Sequence, residues 1–217
     1  MTTDRTLTRQ ALIDAAAALF AEHGYDAVST RMIATAAGVN LGGIHYHFGG
    51  KQQLYVEAYR MATASDDRIT LDRTAREHPE LMASPQGQAR IILLTVRAMF
   101  EDFLCAKDNA LERRLIVREI VSPSSALPIL MREIFNPNIN DNSAFIRHVR
   151  PGLDEDTVFI WVNTILAPLI FYLLAATPLG MARGTPLDAA YYAKAATETA
   201  RALTLLLQLP LPEESQA

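Results

Sequence analysis

From Val158 to Ala176 the chain carries no charged side chain, and a helix that is apolar all round belongs either in a membrane or in a large protein core. Asn163, Thr164 and Pro168 interrupt the run, and Asp154, Glu155 and Asp156 precede it where a membrane span would favour basic anchors. The run is therefore expected to be a buried helix at an interface between two copies of the chain. Half of the residues are hydrophobic, with alanine and leucine ahead of valine and isoleucine, which favours helix over sheet. Neither strand alternation nor an internal repeat is visible. The expected fold class is all-α, and 217 residues suffice for one large or two small domains.

Helix punctuation is dense at the start. Leu12, Ala15, Leu19 and Phe20 recur at helical spacing within 8–23, and Gly24 follows as a stop. Ser29 reads as the N-cap of a helix over 30–37 closed by Gly38, and Asn40 as the cap of a third helix through His47. Gly49 and Gly50 then break the chain before a fourth helix that starts near Lys51 and runs past Met61. Residues 65–77 read as an exposed connector.

Ser84-Pro85 reads as N-cap and first helical residue of a helix over 86–107, followed by another over 109–121 and a turn at Ser122-Pro123-Ser124. The helical pattern of 126–149 is expected to kink or break at Asn136-Pro137-Asn138. The acidic trio 154–156 suits the start of the apolar helix over 156–177, where the dipole favours negative charge. Thr185-Pro186 reads as the cap of a last helix over 187–208, and the tail from Glu213 is expected to fray. Cys105 has no second cysteine to pair with and reads as a buried, reduced thiol. Residues 1–10 offer no apolar stretch of the secretory kind, so the expected location is cytoplasmic.

The formal net charge of −4 argues against nucleic acid until its distribution is considered. Residues 27–56 contain no Asp or Glu, while Arg31, Lys51, His45 and His47 lie within them. Only the face that approaches phosphates must be free of acids, because charge repulsion is screened beyond a Debye length of roughly 10 Å. Two short helices joined at Gly38 have helix-turn-helix dimensions, in which the second helix enters the major groove. Val39, Ile44 and Phe48 would plug that helix into the head. His45 and His47, two residues apart, face different sides of a helix, so no metal site is expected.

The block Ser29-Thr30-Arg31, Ala36-Ala37-Gly38-Val39, His45-Tyr46-His47-Phe48, Lys51 and Leu54, with Phe20 and Gly24-Tyr25 before it, resembles the N-terminal pattern of the TetR/AcrR family of transcriptional regulators. Asn40-Leu41, residues 46–51, Arg118-Glu119 and Ser122-Pro123-Ser124 are similar to its CecR-type subgroup. The resemblance covers about the first quarter of the chain. It implies a helix-turn-helix DNA-binding domain over 1–50 and a helical ligand-binding and dimerisation domain over 51–217. It places Thr30, Tyr46, His47 and Lys51 at phosphates and Arg31, Leu41, Gly42 and His45 at base edges. Gly42-Gly43 is poor helix chemistry that close approach to DNA would explain.

What the resemblance implies for the whole is a homodimeric repressor that binds duplex operator DNA and is released by a small apolar or aromatic effector. It implies no cofactor, no enzymatic activity and no membrane partner. Met99, Phe100, Phe103, Arg118, Trp161 and Phe171 are the candidate lining of the effector pocket. The competing readings are a DNA-binding protein with no effector and a regulator anchored in a membrane by residues 158–176. No phosphate loop, dinucleotide fingerprint or nucleophile elbow points to an enzyme.

Overall fold

A computed structural model describes residues 2–63, 68–106 and 110–212, with side chains from residue 5 onward. Among the described residues all regular structure is helical and there is no strand. The chain forms two compact units: residues 1–67 with 108–137, and residues 68–107 with 138–217. The expected division is 1–50 and 51–217; by packing, residues 1–67 group with the later segment 108–137. The ends expected at Lys107 and Asn109, part of the 65–77 connector and the tail from Glu213 lie outside the described residues.

The first unit is built on α1 (Thr2–His23), which begins earlier than the expected residue 8. Leu12, Ala16 and Phe20 lie four residues apart and Ile13, Ala17 and Ala21 beside them, so one face of α1 is fully buried. Against it pack α2 (Thr30–Ala37), α4 (Lys51–Ala62) and α7 (Ala110–Val121), with α3 (Gly42–Phe48) in contact with α1, α2 and α4. Tyr25, Phe20, Tyr55 and Tyr59 form a chain of ring contacts through this core, with centroids 4.6–5.8 Å apart.

Residues 110–137 clasp this core by polar contacts. Arg118 donates from Nε to the Ala21 carbonyl (3.4 Å) and from Nη2 to that of Glu22 (2.5 Å), satisfying C-terminal carbonyls of α1 that have no intrahelical partner. The Ser125 hydroxyl donates to Asp26 at 2.6 Å. Arg60 donates to both Glu57 and Glu133 at 2.8 Å. Past α8 (Leu127–Leu130) the expected interruption takes the form of a π-helical turn over Met131–Phe135, leading directly into α9 (Asn136–Val149). The Asn136 N–H bonds back to the Met131 carbonyl, so the wider turn falls just before Pro137, which has no N–H to give.

Buried between α4 and α7, the Tyr55 hydroxyl donates to Glu119 Oε1 at 2.6 Å, while Glu119 Oε2 accepts the Ser124 N–H at 3.1 Å. The Tyr59 hydroxyl is buried with no hydrogen-bond partner among the described residues. Burial pushes both phenol pKa values far above the ordinary range. Unfolded tyrosines ionise near ~10, so this contribution to stability is complete below that pH and erodes as pH rises beyond it. At neutral pH the two tyrosines should respond oppositely to loss of the hydroxyl. Tyr55→Phe is expected to cost about 2 kcal/mol by depriving a buried carboxylate of its donor. Tyr59→Phe should be neutral or stabilising and should lessen the alkaline loss. Urea unfolding at neutral pH and near pH ~10.5 checks both, and equal losses for the two variants would refute the assignment.

The second unit holds α5 (Leu71–Glu77), a 3-10 turn over Pro79–Ala83, α6 (Pro85–Phe100) with a π turn over Glu101–Cys105, most of α9, α10 (Glu155–Arg183) and α11 (Ala189–Leu206). Ser84 caps α6 as expected, accepting the Gly87 N–H, and Asp154 caps α10 by accepting that of Thr157. The cap of α11 is Asp188, which accepts the Tyr191 N–H at 2.8 Å, rather than Thr185. Residues 185–186 instead lie over Gly180, where a Cβ would meet Pro186 Cα at 3.4 Å.

Candidate nucleic-acid interface

The helix-turn-helix is fixed by local bonds. Ser29 Oγ accepts the Met32 N–H at 3.2 Å and starts α2 in a capped turn. Gly38, left-handed at φ 67°, ends it, its N–H bonding to Thr35 O and that of Val39 to Ala34 O. Asn40 Oδ1 then accepts the Gly42 N–H at 3.1 Å and opens α3. Ile33, Ala34, Ile44 and Phe48 are buried in the first unit, and Val39 packs against the same core. The plugs expected from sequence are where the fold needs them.

With that side buried, the opposite side of the pair is turned outward. Arg31, Leu41, Gly42, His45 and Tyr46 are exposed, and Thr30 and His47 are partly so. Tyr46 stands out at 67% exposure beside a Phe48 at 7%, so adjacent aromatics have opposite roles. His47 meets the Tyr46 ring edge-on at 5.0 Å. Ser29, Arg31, Met32, Thr35 and Ala36 border a shallow concavity on the outer side of α2. At Gly42 an added Cβ would meet nothing nearer than Asn40 Oδ1 at 3.8 Å. The fold itself thus has room for a methyl group there.

Lys51 is only half exposed. It opens α4 with its Nζ 4.0 Å from the centre of the Tyr25 ring, a cation–π contact. Burial lowers its ammonium pKa while nearby Asp26 acts in the opposite direction. The Asp26 carboxyl is held below its ordinary pKa, first by the Ser125 hydroxyl and then by the Ser125 N–H. Sequence reading missed this group of four, because Tyr25, Asp26 and Ser125 are distant in sequence from Lys51 and no local pattern links them. It also missed Arg5, whose guanidinium lies 5.1 Å over the Tyr46 ring; its spacing of four from Arg9 was the available signal.

Of the six residues expected around an effector, five lie in the second unit and Arg118 in the first. Met99, Phe100 and Phe103 are buried in the second unit, Trp161 is partly exposed there, and Phe171 is 56% exposed. Arg118 belongs to the first unit, where its guanidinium is occupied by the end of α1. Sequence reading missed Tyr172, which contacts Phe100 and the Tyr191-Tyr192 pair at centroid distances of 5.8–6.1 Å. The phenol of Tyr172 is pushed up to about 12 by burial and by its hydrogen bond with Tyr191.

Residues 12–58 match the N-terminal model of the bacterial regulatory proteins of the tetR family. CecR of Shigella flexneri, an HTH-type transcriptional dual regulator, is 32% identical over 145 residues, 63% of this chain and 62% of that protein. The transcriptional repressor AcnR of Corynebacterium efficiens is 34% identical over 71 residues, 33% of this chain and 35% of that one. The chain thus matches less than two thirds of the length of either relative. The crystal structure of NalD, the secondary repressor of the MexAB-OprM multidrug efflux pump in Pseudomonas aeruginosa, shares the fold with a TM-score of 0.63 at 18% identity, covering 92% of this chain and 96% of that one. Residues 12–58 thus carry the N-terminal domain of the bacterial regulatory proteins of the tetR family, and the all-helical fold of the chain is shared with NalD.

Proposed function

We propose that this protein is a transcriptional regulator that binds duplex operator DNA as a homodimer and acts as a repressor released by a small apolar or aromatic effector. The observation that carries the DNA-binding reading is the outward side of α2 and α3, exposed in a segment without a carboxylate. A face of this kind lets phosphates approach while the acidic remainder of the chain stays in solvent. Thr30, Tyr46, His47 and Lys51 are assigned to phosphates, and Arg31, Leu41, Gly42 and His45 to base edges. Arg31 has the planar fork that reads guanine, and Leu41 the apolar surface that meets a thymine methyl. That AcnR and NalD are repressors supports repression over activation.

The effector reading is supported by the aromatic cluster of the second unit, Phe100 and Tyr172 with Tyr191 and Tyr192, which suits a flat apolar ligand better than a charged one. Such a ligand acts only if it favours the DNA-released conformation. A membrane-anchored form has one observation in its favour, since α10 is long and apolar enough to cross a bilayer. Its stripe of Val158, Val162, Ile165 and Leu169 is, however, already buried by protein. Recovery in the soluble fraction after lysis separates the two.

Footprinting of the purified full chain on its own upstream region tests the proposal. Lys51→Ala is expected to weaken binding to specific and mixed-sequence duplexes alike and to flatten the salt dependence by about one unit per protomer. Arg31→Ala should in addition cost about 1–3 kcal/mol of discrimination at one base pair. Equal losses on specific and random duplexes for both variants would overturn the division of roles.

A further inference from the structure

Arg5 and Arg9 stand one turn apart on α1, and both reach an aromatic ring of α3: Arg5 at 5.1 Å from the centre of Tyr46, Arg9 at 5.3 Å from that of Phe48. Their surroundings are opposite. Arg9 is ion-paired to Glu57 and lies on a buried ring. Arg5 is exposed, lies on the most exposed aromatic of the head, and has no carboxylate partner among the described side chains. A guanidinium laid on a ring loses rotamer freedom but keeps its five N–H donors at its edge. Those donors match the oxygens of a phosphate.

We propose that Arg5 extends the DNA interface beyond the helix-turn-helix, as a phosphate-binding residue held in place by the Tyr46 ring. This rests on the DNA-binding reading above and adds to it a contact from α1. Stacking and phosphate binding support one another here. With the Arg5 guanidinium over its ring, Tyr46 narrows the range of rotamers open to Arg5, and Arg5 narrows that open to Tyr46. Arg9 has the same chemistry and the same aromatic support, but Glu57 already neutralises it, so it should add nothing to the attraction for a polyanion.

The test uses the full chain and a mixed-sequence duplex of about three helical turns, with affinity followed by fluorescence anisotropy between roughly 50 and 200 mM salt. Arg5→Gln is expected to bind about 5–10-fold more weakly near 0.1 M salt and to lower the salt slope by about 0.9 per bound protomer. Arg5→Lys should retain the slope, Arg9→Gln should leave it at the wild-type value, and the melting temperature of Arg5→Gln should match that of the wild type. A wild-type slope for Arg5→Gln, or the same reduced slope for Arg5→Gln and Arg5→Lys, overturns the assignment of Arg5 while Lys51→Ala still flattens the slope. If the wild type itself binds neither this duplex nor its own upstream region, the underlying DNA-binding reading falls instead.

Discussion

A chain carrying Ile160→Asp together with Phe171→Asp is expected to run in light scattering as a single subunit of 23.9 kDa, and the wild type, as the proposed homodimer, at twice that mass. It should lose at least ~100-fold in affinity for duplex DNA, because joining two half-site readers multiplies affinity by about 10²–10⁴ without any new contact. The reason lies in the two sides of α10. Val158, Val162, Ile165 and Leu169, spaced four, three and four apart, form the stripe buried within the second unit. Ile160 begins a second row, continued by Ala167, Phe171 and Leu174, that runs along the opposite side and is exposed, Ile160 by 62%.

Large apolar side chains gain roughly 1.5–3 kcal/mol each when fully buried, and a twofold axis presents every one of them twice. Four carboxylates placed in such a seam would have to be desolvated without partners. Both positions are exposed within one subunit, so the subunit fold should survive, with a helical circular dichroism spectrum equal to that of the wild type. A double variant that stays dimeric and binds as tightly as the parent would show that this row is not the seam.

How much of this was legible from sequence depended on how local its cause was. Ser29, Gly38 and Ser84 are legible as caps because a cap bonds a side chain or a backbone N–H to a backbone group within a few residues; the acidic trio 154–156 marks a helix start without showing that Asp154 is the residue that caps it. Between Thr185 and Asp188 the residue types do not decide: both offer an acceptor oxygen, and the choice depends on how the turn at 185–186 folds back onto Gly180, leaving Asp188 to accept the Tyr191 N–H. Pro137 announced a disturbance but not its form, since a wider helical turn accommodates a missing donor as well as a break does.

In the candidate site, exposure was legible and partnership was not. The alternation of buried Ile44 and Phe48 with exposed His45 and Tyr46 follows from helical periodicity. The stacking of Lys51 on Tyr25 and of Arg5 on Tyr46 joins segments that only the tertiary fold brings together. The bonds of Arg118 to the open carbonyls of α1 join segments that are likewise distant in sequence.

Gly87→Ala should be among the most destabilising single-methyl additions available to this chain, at about 3 kcal/mol, or ~6–12 °C in melting temperature. Gly87 is buried in the first turn of α6, and an ideal Cβ there would lie 2.0 Å from the Leu81 carbonyl oxygen and 2.7 Å from Leu81 C and Cα. These are backbone atoms of the 3-10 turn, so no rotamer change relieves the clash and the turn must separate from α6. Alanine is the better helix former by about 1 kcal/mol, and that gain is too small to offset the separation.

Gly43 is the control, because a Cβ at that position would meet only Leu12 Cδ1 at 3.7 Å, an ordinary contact. Gly43→Ala should therefore melt at or above the wild-type temperature, gaining up to ~1 kcal/mol from helix propensity. The two substitutions are identical in chemistry and both lie within a helix, so the sign of the difference isolates the approach of Leu81 to α6. A Gly87→Ala protein that melts as late as Gly43→Ala would mean that the turn is not seated on the helix at that distance.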